Sequence, residues 1–254
     1  MAKKKAHSRK KQKGVPPADS YGSLSQQPLQ ILFFLLPLLV LYELAALIVI
    51  RMGYTIPLRT VRIIRDIFGE SNISSLILPA LLIVVVLLVM HAYRRDRWRV
   101  EPKMYGMMWI ESVVLAMPII VFAMLLLRET ASAAALTTSA SQGPWIRNVV
   151  MGVGAGIYEE LLFRLIGIAL IHLIVVDLLK RPDYVGEFTD IYTTAILVAL
   201  LHFGEHNPVT GRKFAYYTLA GVYLACIYIY RGFGIVVGTH AMYNVFAFTL
   251  AEIG

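Results

Sequence analysis

The chain has 254 residues, 58% of them hydrophobic and 16% charged, with a mean hydropathy of +0.67. That composition excludes an ordinary soluble domain, and the length suits one bundle of membrane helices, since each crossing takes roughly 20 residues. The formal charge of +8 does not point to nucleic acid, because the basic residues gather in MAKKKAHSRKKQKG, ahead of the first apolar run. A polybasic stretch beside a span is held by anionic lipid headgroups on the cytoplasmic face. The single cysteine, Cys226, lies in an apolar run, so an intramolecular disulfide and a cysteine-based metal cluster are both excluded.

Taken in chain order, residues 1–27 form a basic tail that passes into VPPADSYGSLSQQP, a Pro, Ser and Gln-rich stretch expected to be disordered. The tail lacks the layout of a signal peptide, so the first span is expected to stay attached. Apolar windows follow at about residues 29–50, 74–92, 106–127, 145–177, 191–203, 214–230 and 233–252. They predict an all-α, polytopic transmembrane bundle of about seven or eight spans. Residues 28–135 form the amino-terminal group of helices and residues 136–254 the group that carries the chemistry.

Two windows are irregular. The fourth, at 1.5 Å per residue, would reach about 50 Å against an apolar core of about 30 Å, so it must tilt, break or project into water. The fifth is short and ends in HFGEHNP; such interruptions belong where polar groups are buried in protein or line a wet cavity. Lys and Arg in the tail and in YRRDRWRVEPK, two spans apart, put both on the cytoplasmic side of what is expected to be the plasma (inner) membrane. The arginines of IPLRTVRIIRDIFGE would then lie outside. There Arg59, Arg62 and Asp66 share one helical face and Val61, Ile64 and Phe68 the other, the pattern of a helix lying in the interface.

A charge at mid-membrane costs about 2.5 to 3.5 kcal/mol on the gentlest scales, so clustered charges imply pairing or a hydrated site. GIYEELLFRLIG holds Glu159, Glu160 and Arg164. Glu160 and Arg164 are four apart and can form an ion pair, whereas Glu159 points about 100° away without a partner at that spacing. LLHFGEHNP holds His202 and His206, with Gly204 and Pro208 making continued helix past His202 uncertain. GTHAMYN puts His240 and Asn244 on one face of the last span. Singly, each is more often an interhelical hydrogen bond than a catalytic group. Rise per residue places Glu159, His202 and His240 in the same half of the membrane.

A carboxylate facing two histidines can deprotonate water, better when desolvation raises its pKa, while histidine and asparagine can donate to the oxyanion formed when that water attacks an amide. His, His and Glu are also zinc ligands, but the H-E-x-x-H signature is absent. No metal or other cofactor is expected to be obligatory, and zinc stays open as the alternative.

These motifs resemble the CPBP family of intramembrane proteases, which includes the CAAX prenyl endopeptidases and the bacteriocin-processing and immunity proteins. The similarity covers roughly residues 140–254. The family's two glutamates followed by arginine correspond to Glu159, Glu160 and Arg164. Its Phe four before His becomes Val198 and His202, so the Phe is missing, and its His with Asn four later is His240 and Asn244. His206 has no place in the pattern. The resemblance implies that Glu159 and His202 activate water, that His240 and Asn244 stabilise the oxyanion, and that Glu160 and Arg164 support the site.

The expected partner is a membrane-anchored or lipidated protein or peptide substrate, with anionic lipid at the tail and no nucleic acid. The competing class is a noncatalytic scaffold or immunity-type binding protein on the same fold, which need not retain the complete set of polar residues. A proton-coupled transporter would also use membrane Glu and His, but no internal repeat supports it. Glu43 and Glu111, in the first and third spans, carry no motif; Glu43 suits a helix–helix hydrogen bond better than a part in substrate access.

Overall fold

The computed structural model describes residues 20–56, 58–68, 74–127, 145–203 and 208–253, and among these every regular element is helical. A short α1 (Tyr21–Leu24) is followed by α2 (Pro28–Arg51), α3 (Arg59–Phe68), α4 (Ser74–Arg94) and α5 (Pro102–Leu127). Next, α6 (Trp145–Glu160) runs without a break through a π-helical segment (Leu161–Ile168), α7 (Ala169–His172) and a second π-helical segment (Leu173–Leu178). Then come α8 (Asp183–Leu201), α9 (Gly211–Arg231) and α10 (Phe233–Ile253). The result is a helical membrane bundle.

Helix boundaries follow local chemistry. Pro28 opens α2, where its missing N–H is no loss. The Thr210 side chain accepts from Lys213 N at the start of α9. Gly232, at φ 85°, closes α9 and turns the chain directly into α10. Pro37, Pro79 and Pro118 lie inside helices, which membrane bundles tolerate because neighbouring elements satisfy the freed backbone groups.

The core gathers around α10, which packs against α2, α5, α6 and α9. Its residues Ile235, Val236, Val237, Thr239 and Ala241 are fully buried, a helix apolar all round because it is enclosed all round. The contact with α6 is closest at Gly156, where an added Cβ would lie 2.7 Å from the Ala241 backbone nitrogen. A small residue there lets the two backbones approach. The amino-terminal and carboxy-terminal groups of helices thus share one core.

Several expectations need correction. Among the described residues five helices are long and apolar enough to cross a membrane, Pro28–Arg51, Ile77–Arg94, Pro102–Leu127, Trp145–Leu178 and Asp183–Leu201, while Phe233–Thr249 is apolar but shorter. That is fewer than the expected seven or eight, because the tyrosines of α9 lower its hydropathy and the apolar part of α10 is short. The fourth window does not break, so its excess length is taken up by tilt or projection. The fifth begins earlier than its apolar run, because Asp183, Glu187 and Asp190 occupy the first turns of α8.

Residues 20–27, placed in the disordered tail, are ordered. Ser20 caps α1, and the Tyr21 hydroxyl donates to Glu111 Oε2 at 2.5 Å. Gln26 Nε2 donates to the carbonyl of Tyr230 at 3.2 Å. Burial, followed by the Glu111 carboxylate, pushes the Tyr21 phenol above its ordinary value, so it stays a donor. Polar side chains hold this segment, and hydropathy does not register them. The basic tail itself, the 135/136 boundary and His206 lie outside the described residues. Helix α3 has the expected amphipathic character, with Val61 buried and Arg62 and Asp66 exposed.

Candidate active site

Glu159 and Glu160 are the last two residues of α6 before its π-helical continuation. Such irregular turns recur at functional sites because they redirect side chains without ending the helix. Neighbours on the chain, the two carboxylates enter different surroundings.

Glu160 points into the bundle. Its Oε2 lies 3.1 Å from Arg164 Nε, and both side chains are 0% exposed. The guanidinium also donates from Nη2 to the carbonyl of Gly221 on α9 at 3.1 Å. The pair expected from the four-residue spacing is therefore present. Glu160 has a further partner that the sequence does not disclose, since its Oε1 lies 2.7 Å from His240 Nδ1. A carboxylate can only accept, so Nδ1 carries the proton and Nε2 is the nitrogen His240 offers to a ligand.

Glu159 faces a cavity of about 190 Å³. Its Oε2 is buried without a direct hydrogen bond and lies 3.9 Å from His202 Nε2. His202 follows the last turn of α8, with Nδ1 2.8 Å from the Val198 carbonyl. That carbonyl also can only accept, so Nδ1 carries a proton and Nε2 is the nitrogen turned toward Glu159. At 3.9 Å the carboxylate oxygen and Nε2 are too distant to bond directly and close enough for one water to bridge them. Tyr217 of α9 stacks on the imidazole, ring centres 4.3 Å apart and planes 24° apart. Aromatic packing on His202 thus comes from α9, whereas Val198, in the place of the missing Phe, lines the cavity.

His240 and Asn244 reach the same cavity from α10, as their spacing requires. Asn244 donates from Nδ2 to the Gly152 carbonyl at 2.8 Å, which fixes the amide and leaves its second N–H. Glu159, His202, His240 and Asn244 therefore converge from three helices, with Glu160 and Arg164 behind His240. Glu43 lies on α2 and accepts from Tyr158 at 3.0 Å, the helix–helix hydrogen bond expected of it. Glu111 lies on α5 and accepts from Arg231, the last residue of α9. Sequence reasoning passed over Tyr216, Tyr217 and Tyr243, all cavity-lining. The only available signals were the paired tyrosines of KFAYYTLAG and the three-residue step from His240 to Tyr243.

Among the described residues no three His, Cys, Asp or Glu side chains are grouped closely enough to hold an ion. With Nδ1 of each histidine held by a protein acceptor, it is Nε2 that each presents to the cavity, an anchoring that metal-bound histidines share.

A helical membrane bundle with carboxylate, imidazole and amide groups around one internal cavity has the makings of an intramembrane hydrolase. Residues 141–246 match the family of type II CAAX prenyl endopeptidases described as Rce1-like. The match is consistent with the resemblance to the CPBP family, and the matched region contains all six site residues named above. No curated protein and no solved structure matches the chain.

Proposed function

We propose that the protein is an intramembrane endopeptidase that cleaves a peptide bond in a membrane-anchored or lipidated protein by water activated between Glu159 and His202. The observation that carries this reading is the 3.9 Å separation of Glu159 Oε2 and His202 Nε2 in a cavity shared with His240 and Asn244.

In this mechanism water bridges the two side chains, Glu159 takes its proton, and the hydroxide oxygen attacks the scissile carbonyl carbon. The carbonyl π-electron pair moves to oxygen, and His240 and Asn244 donate to the resulting oxyanion. When the tetrahedral species collapses, the C–N bond breaks and the proton taken by Glu159 passes to the leaving amine. Glu160 sets the tautomer and orientation of His240, and Arg164 holds Glu160 in place. No step requires a metal.

The same reading puts the amino terminus in the cytoplasm, the protein in the plasma (inner) membrane, and the basic tail on anionic lipid. The test compares the carboxy termini of membrane proteins, by mass spectrometry, in cells carrying wild-type protein and Glu159→Ala. Shortened termini present only with the wild type support it. Identical termini in both, with the two proteins equally abundant, favour a noncatalytic scaffold instead.

A further inference from the structure

We propose that Tyr243 is a third donor to the oxyanion, a catalytic residue whose hydroxyl hydrogen is left for the substrate because Tyr216 supplies the hydrogen between the two phenols. This rests on the hydrolytic reading of the cavity.

The phenol oxygens of Tyr216 and Tyr243 are hydrogen-bonded to each other, and both residues line the cavity. Two hydroxyls joined in this way use one hydrogen between them, so the other is available to an outside acceptor. Tyr243 is the more accessible, 7% exposed against 2% for Tyr216, which makes Tyr216 the inner donor and Tyr243 the outer one. His240, Tyr243 and Asn244 occupy positions i, i+3 and i+4 of α10, one helical face, and all three border the cavity. A carbonyl oxygen that receives hydrogen bonds from His240 and Asn244 is therefore presented to that face of α10, with Tyr243 flanking His240 on the side away from Asn244.

The chemistry of its neighbours gives this hydroxyl a purpose. His240 spends Nδ1–H on Glu160, so its Nε2 donates only as imidazolium. Asn244 spends one N–H on Gly152. A phenol donates in its neutral form and carries no charge penalty in an apolar wall. Removing one donor from such a set typically lowers kcat by about 10²–10³-fold.

The experiment uses full-length protein in detergent or vesicles, with a lipidated peptide substrate and a phosphinate peptide that mimics the tetrahedral anion. Tyr243→Phe is expected to lower kcat by at least about 10-fold with KM unchanged, and to weaken phosphinate binding by a matching factor while substrate-peptide binding stays the same. Tyr216→Phe keeps the outer hydroxyl but removes the partner that directs it, and is expected to lower kcat by less than Tyr243→Phe does. If Glu159→Gln is inactive while Tyr243→Phe cleaves and binds phosphinate as wild type does, the role of Tyr243 is overturned and the hydrolytic reading stands. If Tyr216→Phe and Tyr243→Phe lose activity equally with equal loss of melting temperature, the pair is structural and the proposal falls. If Glu159→Gln cleaves as well as wild type, the hydrolytic reading fails first.

Discussion

Glu160 in the centre of the bundle and Glu111 at its end each face an arginine, and the two pairs are built differently. Glu160 and Arg164 lie on one continuous helix with both side chains 0% exposed, and Glu160 uses its second oxygen to hold His240 of the cavity. Glu111 and Arg231 lie on different helices with both side chains 22% exposed, joined through two nitrogens at 2.5 and 2.8 Å. Tyr21 and Ser25 of the amino-terminal segment bond the same two residues. The central pair therefore couples fold to site. The end pair gathers three distant stretches of chain and touches nothing in the cavity. Burial decides how much each pair matters, because an ion stranded away from water has no solvent to fall back on.

The largest effect is expected at the centre. Glu160→Gln leaves Arg164 as a buried guanidinium without its counter-ion, a change that costs about 3–5 kcal/mol. Folded yield, melting temperature and cleavage should all fall together, since the acceptor of His240 also changes from a carboxylate to a neutral amide. Glu159→Gln keeps shape and removes basicity, so it should melt like the wild type while cleavage is abolished. Measuring yield, melting and cleavage for both variants breaks the assignment if the stable, inactive protein is Glu160→Gln.

A smaller contrast separates His202 from His206, four residues on in the sequence. His202→Ala removes the group opposite Glu159 and should lower turnover by about 10²-fold or more. His206→Ala should leave most of it. Equal losses in steady-state kinetics would show that the site extends past His202. Glu111→Gln should reduce stability by on the order of 1 kcal/mol, because the pair is partly hydrated, and loosen residues 20–27 with cleavage largely retained. Thermal unfolding together with limited proteolysis of the amino-terminal segment measures both.

What was legible follows the same division. Apolar windows and the four-residue steps from Glu160 to Arg164 and from His240 to Asn244 are periodic signals, and the helices and pairings they announce are present. Partners on different helices have no such signal. The bond from Glu160 to His240 spans 80 residues, and the one from Tyr21 to Glu111 spans 90. The half-buried pair His172–Asp190, 2.9 Å apart, joins the far end of the α6 continuation to α8 and was equally unreadable. Residues 20–27 were misplaced because composition reports apolar burial, whereas Tyr21, Ser25 and Gln26 are held by polar contacts. In α9 the tyrosines disguised a core helix as a weakly apolar one, and hid the cavity wall they form.

The smallest expected effect is that of a chelator. If Glu159 and His202 activate water without a metal, exhaustive chelation should leave activity and melting temperature unchanged, because no ligand set has to be refilled. The side chains are held in place through the protein, His202 by Val198, His240 by Glu160 and Asn244 by Gly152. A metal that took Nε2 of both histidines would have to draw them and Glu159 together from three helices. That movement would be opposed by the stacking of Tyr217 on His202 and by the buried Glu160–His240 bond. Activity lost to chelator and restored by zinc would overturn this expectation. In that event His206→Ala should also lose metal affinity, as a further ligand would have to come from outside the described cluster.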